Sequence, residues 1–183
     1  RKVILDFTNC GKWTITTASG TYNTVFSASA NVTVKGITLK AGSASVSSDI
    51  IGASSKMRFE DCDIEIEGAS TSLVKFAGAA ELVNCKISVT NGLGNAAVIG
   101  AADSTLSTVN GGKLYAYTGE SSGVSAIVYI PAGVGGKVAA SMVHMPVVAK
   151  TGFYQTTSIY AQSGKVLSVG QLTTLTADIG GTA

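Results

Sequence analysis

Two stretches decide the fold: Phe59-Glu60-Asp61-Cys62-Asp63-Ile64-Glu65-Ile66 and Leu82-Val83-Asn84-Cys85-Lys86-Ile87-Ser88-Val89. Both read apolar, any, Asn or Asp, Cys, any, apolar, any, apolar. Asn and Asp tolerate the left-handed backbone that a sharp change of direction needs. The alternation that follows is the period of a strand with one buried face. In the first stretch Cys62, Ile64 and Ile66 share one face while Asp63, Glu65 and Glu67 share the other, which assigns core and solvent.

The pattern recurs outward from this pair. With one residue inserted it reads Asn9-Cys10-Gly11-Lys12-Trp13-Thr14-Ile15 and Asn110-Gly111-Gly112-Lys113-Leu114-Tyr115-Ala116. With one residue fewer it is Val34-Lys35-Gly36-Ile37-Thr38-Leu39, and shorter copies stand at Gly136-Lys137-Val138-Ala139-Ala140 and Gly164-Lys165-Val166-Leu167-Ser168. The first apolar residue after the turn falls at Trp13, Ile37, Ile64, Ile87, Leu114, Val138 and Val166, in steps of 24, 27, 23, 27, 24 and 28. A second apolar track steps through Val25, Ile50, Val74, Val98 and Ile127. A third precedes each turn, at Val32 and Val34, Met57 and Phe59, Leu82, and Leu106.

Each period therefore holds up to three short strands separated by Gly, Ser, Asn or Ala turns. A leucine-rich repeat needs a Leu-x-x-Leu-x-Leu skeleton and a helical half, and a propeller blade needs about 40 residues or more. A sandwich or barrel has no positional recurrence of turn chemistry. A parallel β-helix fits, because a coil that cannot bury its apolar face alone shares one core with its neighbours. The expected fold is all-β, a single-stranded right-handed parallel β-helix of about seven coils of roughly 25 residues, one domain over 1–183. Residues 141–183 are expected to be either irregular last coils or a cap, and bare ends would leave strand edges unpaired.

Composition agrees. Hydrophobic residues make up 45% of the chain and charged ones 13%, which opposes disorder. Ser, Thr, Val, Ala and Gly dominate, a β-rich usage. The net charge of +2 gives no basic footprint for nucleic acid, and no stretch nears the length of a membrane-spanning helix. The opening Arg1-Lys2-Val3-Ile4-Leu5 is too short for a signal peptide, and the chain reads as a piece of something longer.

Three Cys oppose a disulfide framework. No Cys-x-x-Cys occurs and the one His stands far off at 144, so no zinc or other metal site and no cofactor is expected. All three thiols are expected to be buried, with Cys10, Cys62 and Cys85 at equivalent positions and Gly36 taking that position in between. Asp61, Asn84 and Asn110 are expected to align before the turn. The acidic run Glu60, Asp61, Asp63, Glu65, Glu67 would suit a metal or lyase site in isolation. Aligned coils place Lys40 beside Glu67 and Asp63 beside Lys86, which makes it a solvated face of opposite charges.

Gly92-x-Gly94-x-x-Ala97 mimics a dinucleotide fingerprint, but Val98-Ile99-Gly100 continues as strand where a helix would be required. His144 lacks an evident acid or nucleophile partner. Asn31-Val32-Thr33 is a formal glycosylation sequon. Tyr115 and Tyr117 alternate with Leu114 and Ala116 and should face outward; with Tyr129 and Tyr154 they are the candidate binding residues, available to a subunit interface, a sugar ring or neither. No catalytic residue is assigned.

The recurring motif, above all Asn31-Val32-Thr33-Val34-Lys35-Gly36-Ile37-Thr38-Leu39, resembles the pectate-lyase-like right-handed β-helix superfamily over residues 3 to 140, and more loosely beyond. That resemblance implies a fold shared by polysaccharide lyases, glycoside hydrolases, phage tailspikes and fibres, and bacterial adhesins. The lyase branch pairs carboxylate-bound calcium with an Arg or Lys base; here the only arginines are Arg1 and Arg58, and no isolated acidic trio faces a basic residue. The hydrolase strings Asn-x-Asp, Asp-Asp and Gly-His-Gly are absent. The resemblance thus implies a non-catalytic structural or recognition module of a phage tail fibre, tailspike or secreted surface protein, on a virion or bacterial cell surface. Implied partners are a host-surface glycan or receptor and further copies of the chain in a homotrimer, with neither nucleic acid nor membrane insertion. The alternatives are a polysaccharide lyase or hydrolase, with a cleft of outward residues such as Glu65, Glu67 and Lys86, and a passive spacer.

Overall fold

A computed structural model describes residues 2–16, 26, 31–42, 57–100, 106–130, 136–141, 143–145, 150–154, 157–161, 167–172 and 175–177. These form a parallel β-solenoid of sixteen strands. The lowest winds carry β1 (Val3–Asp6), β2 (Trp13–Thr16), β3 (Val32–Lys35) and β4 (Thr38–Gly42). Next come β5 (Met57–Glu60), β6 (Asp63–Gly68), β7 (Val74–Ala77), β8 (Ala80–Asn91), β9 (Ala96–Gly100), β10 (Leu106–Thr118) and β11 (Ser125–Ile130). The last winds carry β12 (Gly136–Ser141), β13 (Val143–Met145), β14 (Thr157–Ala161), β15 (Leu167–Leu172) and β16 (Leu175–Ala177).

Three walls result. The first stacks β1, β3, β5, the first half of β8, the first half of β10, β12 and β15. The second stacks β2, β4, β6, the later halves of β8 and β10, then β13 and β16. The third is a separate sheet ordered β14-β11-β9-β7. Every strand-to-strand pairing is parallel. All three walls close in the four winds that carry β7, β9, β11 and β14, so the described residues show about four full turns where seven were expected. The second-track positions Val25 and Ile50, and the repeat copy at Val166, lie outside the described residues. Within 141–183, β14, β15 and β16 continue the parallel stacks as strands.

The first and second walls meet at a one-residue corner. Gly36, Asp61, Asn84 and Gly111 hold it with φ of 65°, 52°, 50° and 65°, the left-handed region. Asn84 Nδ2 donates to Asp61 Oδ1 at 2.7 Å across the winds, which helps offset the strain of two non-glycine residues there. Gly36 cannot be replaced freely even apart from φ, since a Cβ would meet the Thr8 backbone at 2.7 Å.

The register corrects several alignments. Cys62 and Cys85 stack, as Asp63 and Lys86 beside them pair, but Thr38 pairs with Asp63, so Ile37 and not Gly36 shares their column. Leu39, not Ile37, lies on Ile64, which lies on Ile87 and then Leu114. Val138 stacks on Ser107 in the first wall, not on Leu114. Asn110 aligns with Val83, so Gly111 holds the corner expected of Asn110. Cys10 is exposed, not buried. Its loop is longer than the other corners: Asp6 Oδ1 accepts Thr8 N at 2.9 Å and Thr8 Oγ1 at 2.5 Å, and Cys10 N closes a turn on the Phe7 carbonyl at 2.8 Å.

The core runs along the axis. The second wall contributes Leu39, Ile64, Ile87, Leu114 and, one row on, Ala41, Ile66, Val89 and Ala116; the first contributes Val34, Phe59, Leu82 and Val109. Phe59 packs edge-on against Phe26 and Phe76, with ring centres 5.3 and 5.1 Å away. At the lowest wind Val3, Leu5 and Trp13 stay exposed, because their inward side chains have a layer on one side only among the described residues, while Ile4 is exposed on the outer face.

Ile64→Ala should cost about 2–5 kcal/mol in chemical denaturation, since it empties a fully enclosed layer, whereas Ser88→Ala on the outer face should shift stability by about 0.5 kcal/mol or less.

Candidate functional site

The outer face of the second wall is a grid set by strand period and register. Its first column runs Thr38, Asp63, Lys86, Lys113; its second Lys40, Glu65, Ser88, Tyr115; its third Gly42, Glu67, Thr90, Tyr117. Opposite charges meet in it. Lys40 Nζ lies 3.4 Å from Glu65 Oε1 and 3.4 Å from Glu67 Oε2, and Lys86 Nζ lies 3.0 Å from Asp63 Oδ2. The Asp63 carboxylate holds Lys86 above its ordinary value by hydrogen bond and charge. Partial burial pulls Lys40 down, and Glu65 and Glu67 more than offset it, so it too titrates above the ordinary lysine range. Exposed pairs of this kind contribute about 0–1 kcal/mol each.

A strap crosses the grid. Residues 150–154 turn tightly at Gly152 (φ 79°), with Phe153 N donating to the Lys150 carbonyl at 3.0 Å. Tyr154 and Thr118 then exchange backbone hydrogen bonds of 3.0 and 2.7 Å in an antiparallel bridge. Lys150 Nζ donates to Thr90 Oγ1 at 2.9 Å and stands 3.7 Å from Glu67 Oε1. The same ammonium lies 4.9 Å from the Phe153 ring centre and 5.7 Å from that of Tyr117, within cation–π range.

The candidate tyrosines fare differently. Tyr115 and Tyr117 both project from the face opposite Leu114 and Ala116, with ring centres 6.3 Å apart and planes 15° apart. Tyr115 is half-buried, but Tyr117 is only 5% exposed, which corrects the expectation that it is open to a ligand. Burial, and then the neighbouring Tyr115, push the Tyr117 phenol upward. Tyr129 is also buried, beside Ala97 and Ala126, with Asn95 Nδ2 donating to its hydroxyl at 3.2 Å. Tyr154 is exposed at the end of the strap. Tyr115, Tyr117 and Tyr154 thus belong to one surface, while Tyr129 belongs to the third wall.

The structure also contains a buried polar corner that the sequence did not announce. Asn91 is wholly enclosed, and its Nδ2 donates to the Ser72 and Asn95 carbonyls at 2.8 Å each. Its Oδ1 accepts Ser70 N at 2.9 Å and Leu93 N at 3.3 Å. One wind further, Thr118 Oγ1 donates to the Gly94 carbonyl at 2.6 Å, and Val124 N donates to Asn95 Oδ1 at 2.8 Å. Here lies the reason for Gly92-x-Gly94-x-x-Ala97: a Cβ at Gly94 would meet the Ser70 and Thr71 carbonyl oxygens at 2.6 and 2.8 Å. The glycines serve turn stacking, and β9 follows them. The clue was Asn91-Gly92-Leu93-Gly94-Asn95 itself, a dense run of turn formers.

Cys62 and Cys85 are free, buried thiols. Each sulfur donates to the carbonyl two residues before it, Glu60 at 3.1 Å and Val83 at 3.3 Å, and to one in the wind below, Val34 at 3.6 Å and Phe59 at 3.4 Å. The hydrogen bond with the adjacent Cys62, and then burial, push the Cys85 thiol far upward. The β13 backbone places His144 in register with Lys113. Among the described residues no three His, Cys, Asp or Glu side chains gather as a metal site.

Fold and surface together define the class as a parallel β-solenoid with a charge-compensated outer face. No family model, curated protein or solved structure matches the chain.

Asn91→Ala should destabilise the protein by several kcal/mol, about 1–3 for each buried partner left unsatisfied, and a melting curve reads it directly. The fold favours protonated Tyr117 and protonated Lys86, so their stabilisation is complete below the ordinary values near pH 10 and is lost as pH rises through the raised folded values. Alkaline titration at 295 nm should therefore show a late tyrosine that disappears in Tyr117→Phe.

Proposed function

We propose that the chain is a non-catalytic structural and recognition module of a phage tail fibre, a tailspike or a secreted bacterial surface protein, in the pectate-lyase-like superfamily. The observation that carries this is the grid: Asp63, Glu65 and Glu67 each sit against a lysine, and the strap covers Tyr117. Each of these carboxylates already has an ammonium partner, which leaves it less free to engage a substrate. A stiff ladder with a neutralised outer face suits repetition along a homotrimeric shaft that carries a recognition surface to a glycan or receptor at a virion or cell surface. A second reading, a polysaccharide lyase or hydrolase, draws on Glu65 and Glu67, two outward carboxylates on one face of β6, since glycoside hydrolysis uses a pair of carboxyl groups.

Sedimentation equilibrium, glycan-array and whole-cell binding, and an assay for new reducing or unsaturated ends separate these readings. The expected result is a trimer that binds a surface glycan or cells without cleavage. Turnover of any polysaccharide would install the second reading, and a monomer that binds nothing would defeat the first.

A further inference from the structure

A second surface lies on the first wall, away from the grid. Lys2, Asn31, Val32, Thr33, Arg58, Glu60 and Glu81 line a groove of about 390 Å³, within the size range of small-ligand sites. Register builds it: Thr33, Arg58 and Glu81 are successive neighbours in one outward column, and Lys35 and Glu60 lie in the next. The Arg58 guanidinium spans two winds, with Nε bonded to Glu60 Oε1 and Nη1 lying 3.3 Å from Glu81 Oε2. Those carboxylates, hydrogen bond first at Glu60, raise Arg58 further above its ordinary value.

The chemistry of this groove is selective by elimination. Two cations, Lys2 and Arg58, meet two anions, Glu60 and Glu81, so the lining is formally neutral. A polyanion finds its cation already occupied, and a cation finds its carboxylates already paired. An apolar ligand would strip water from four charged groups without replacing their hydrogen bonds. A ligand rich in hydroxyls does replace them, donating to carboxylate oxygens and accepting from ammonium, amide and guanidinium. The Arg58 fork fixes both carboxylates in advance, which lowers the ordering cost of binding. Ile4, the register neighbour of Thr33, stands exposed beside the groove and offers an apolar surface to the C–H face of a ring.

We propose that this groove binds a short neutral saccharide through Glu60, Glu81, Arg58, Asn31 and Lys2. The inference rests on the recognition-module reading and gives it a place and a ligand class.

The test is the full chain on an array holding both neutral and uronate- or sialate-bearing glycans, at low and at physiological salt. Neutral binders with little salt dependence are expected. Glu81→Gln, which keeps size and register, should weaken binding about tenfold or more, the worth of one charged hydrogen bond. Arg58→Ala should do the same, while Glu120→Gln, in the exposed turn after β10, should leave affinity unchanged. Binding confined to anionic glycans, or unchanged by Glu81→Gln and Arg58→Ala in folded protein, overturns the groove and leaves the recognition reading standing. No binding to any glycan or cell by the unaltered chain overturns both.

Discussion

Every wind of this protein depends on the one above and below it. Ile64 has Leu39 beneath it and Ile87 above, all in one column of the second wall, and none could be enclosed by its own wind alone. Parallel, in-register pairing is what creates the column, since each residue meets its counterpart one wind on. Apolar residues at like positions therefore make a continuous core, and polar ones make continuous outer rows. The lowest wind shows the corollary. Leu5 and Trp13 occupy inward columns yet remain exposed, because a layer is missing on one side among the described residues.

The period and the inside–outside assignment were legible because both depend on residues close together in sequence. Cys62, Ile64 and Ile66 alternate with Asp63, Glu65 and Glu67, and burial follows that alternation along β6. The phase between winds was less legible. Gly36 and Cys62 share a place in the written motif, but the corner takes one residue in each wind, and Gly36 spends itself on it. That displaces the column by one, so Ile37 rather than Gly36 meets Cys62. Cys10 fails for the opposite reason. The Asp6-capped turn lengthens the loop and carries the thiol out of the column. Alternation is local, whereas phase depends on how many residues each corner consumes, which residue types reveal only in part.

The surface followed the same division. Outward direction was readable for Tyr115 and Tyr117, but exposure was not, because it is the strap at 150–154 that covers Tyr117. No pattern near Tyr117 encodes a segment more than thirty residues away. Asn91 was equally silent. Its importance comes from four partners that converge only when Ser70, Ser72, Leu93 and Asn95 share one corner.

Regularity also constrains where such a molecule can recognise anything. A ladder in perfect register pairs its own charges, as Asp63 does with Lys86, and a face so satisfied has little left to offer a ligand. Specificity then has to come from places where one side chain reaches across winds and holds several groups at once. Two such places stand out among the described residues. Lys150 gathers Glu67, Thr90, Tyr117 and Phe153, but closes over them and so stabilises the strap. Arg58 gathers Glu60 and Glu81 while leaving a groove open beside them. The same device, one long cation gathering groups from successive winds, thus makes a lock on one wall and a receptacle on another, and what separates them is whether a second segment of chain lies on top.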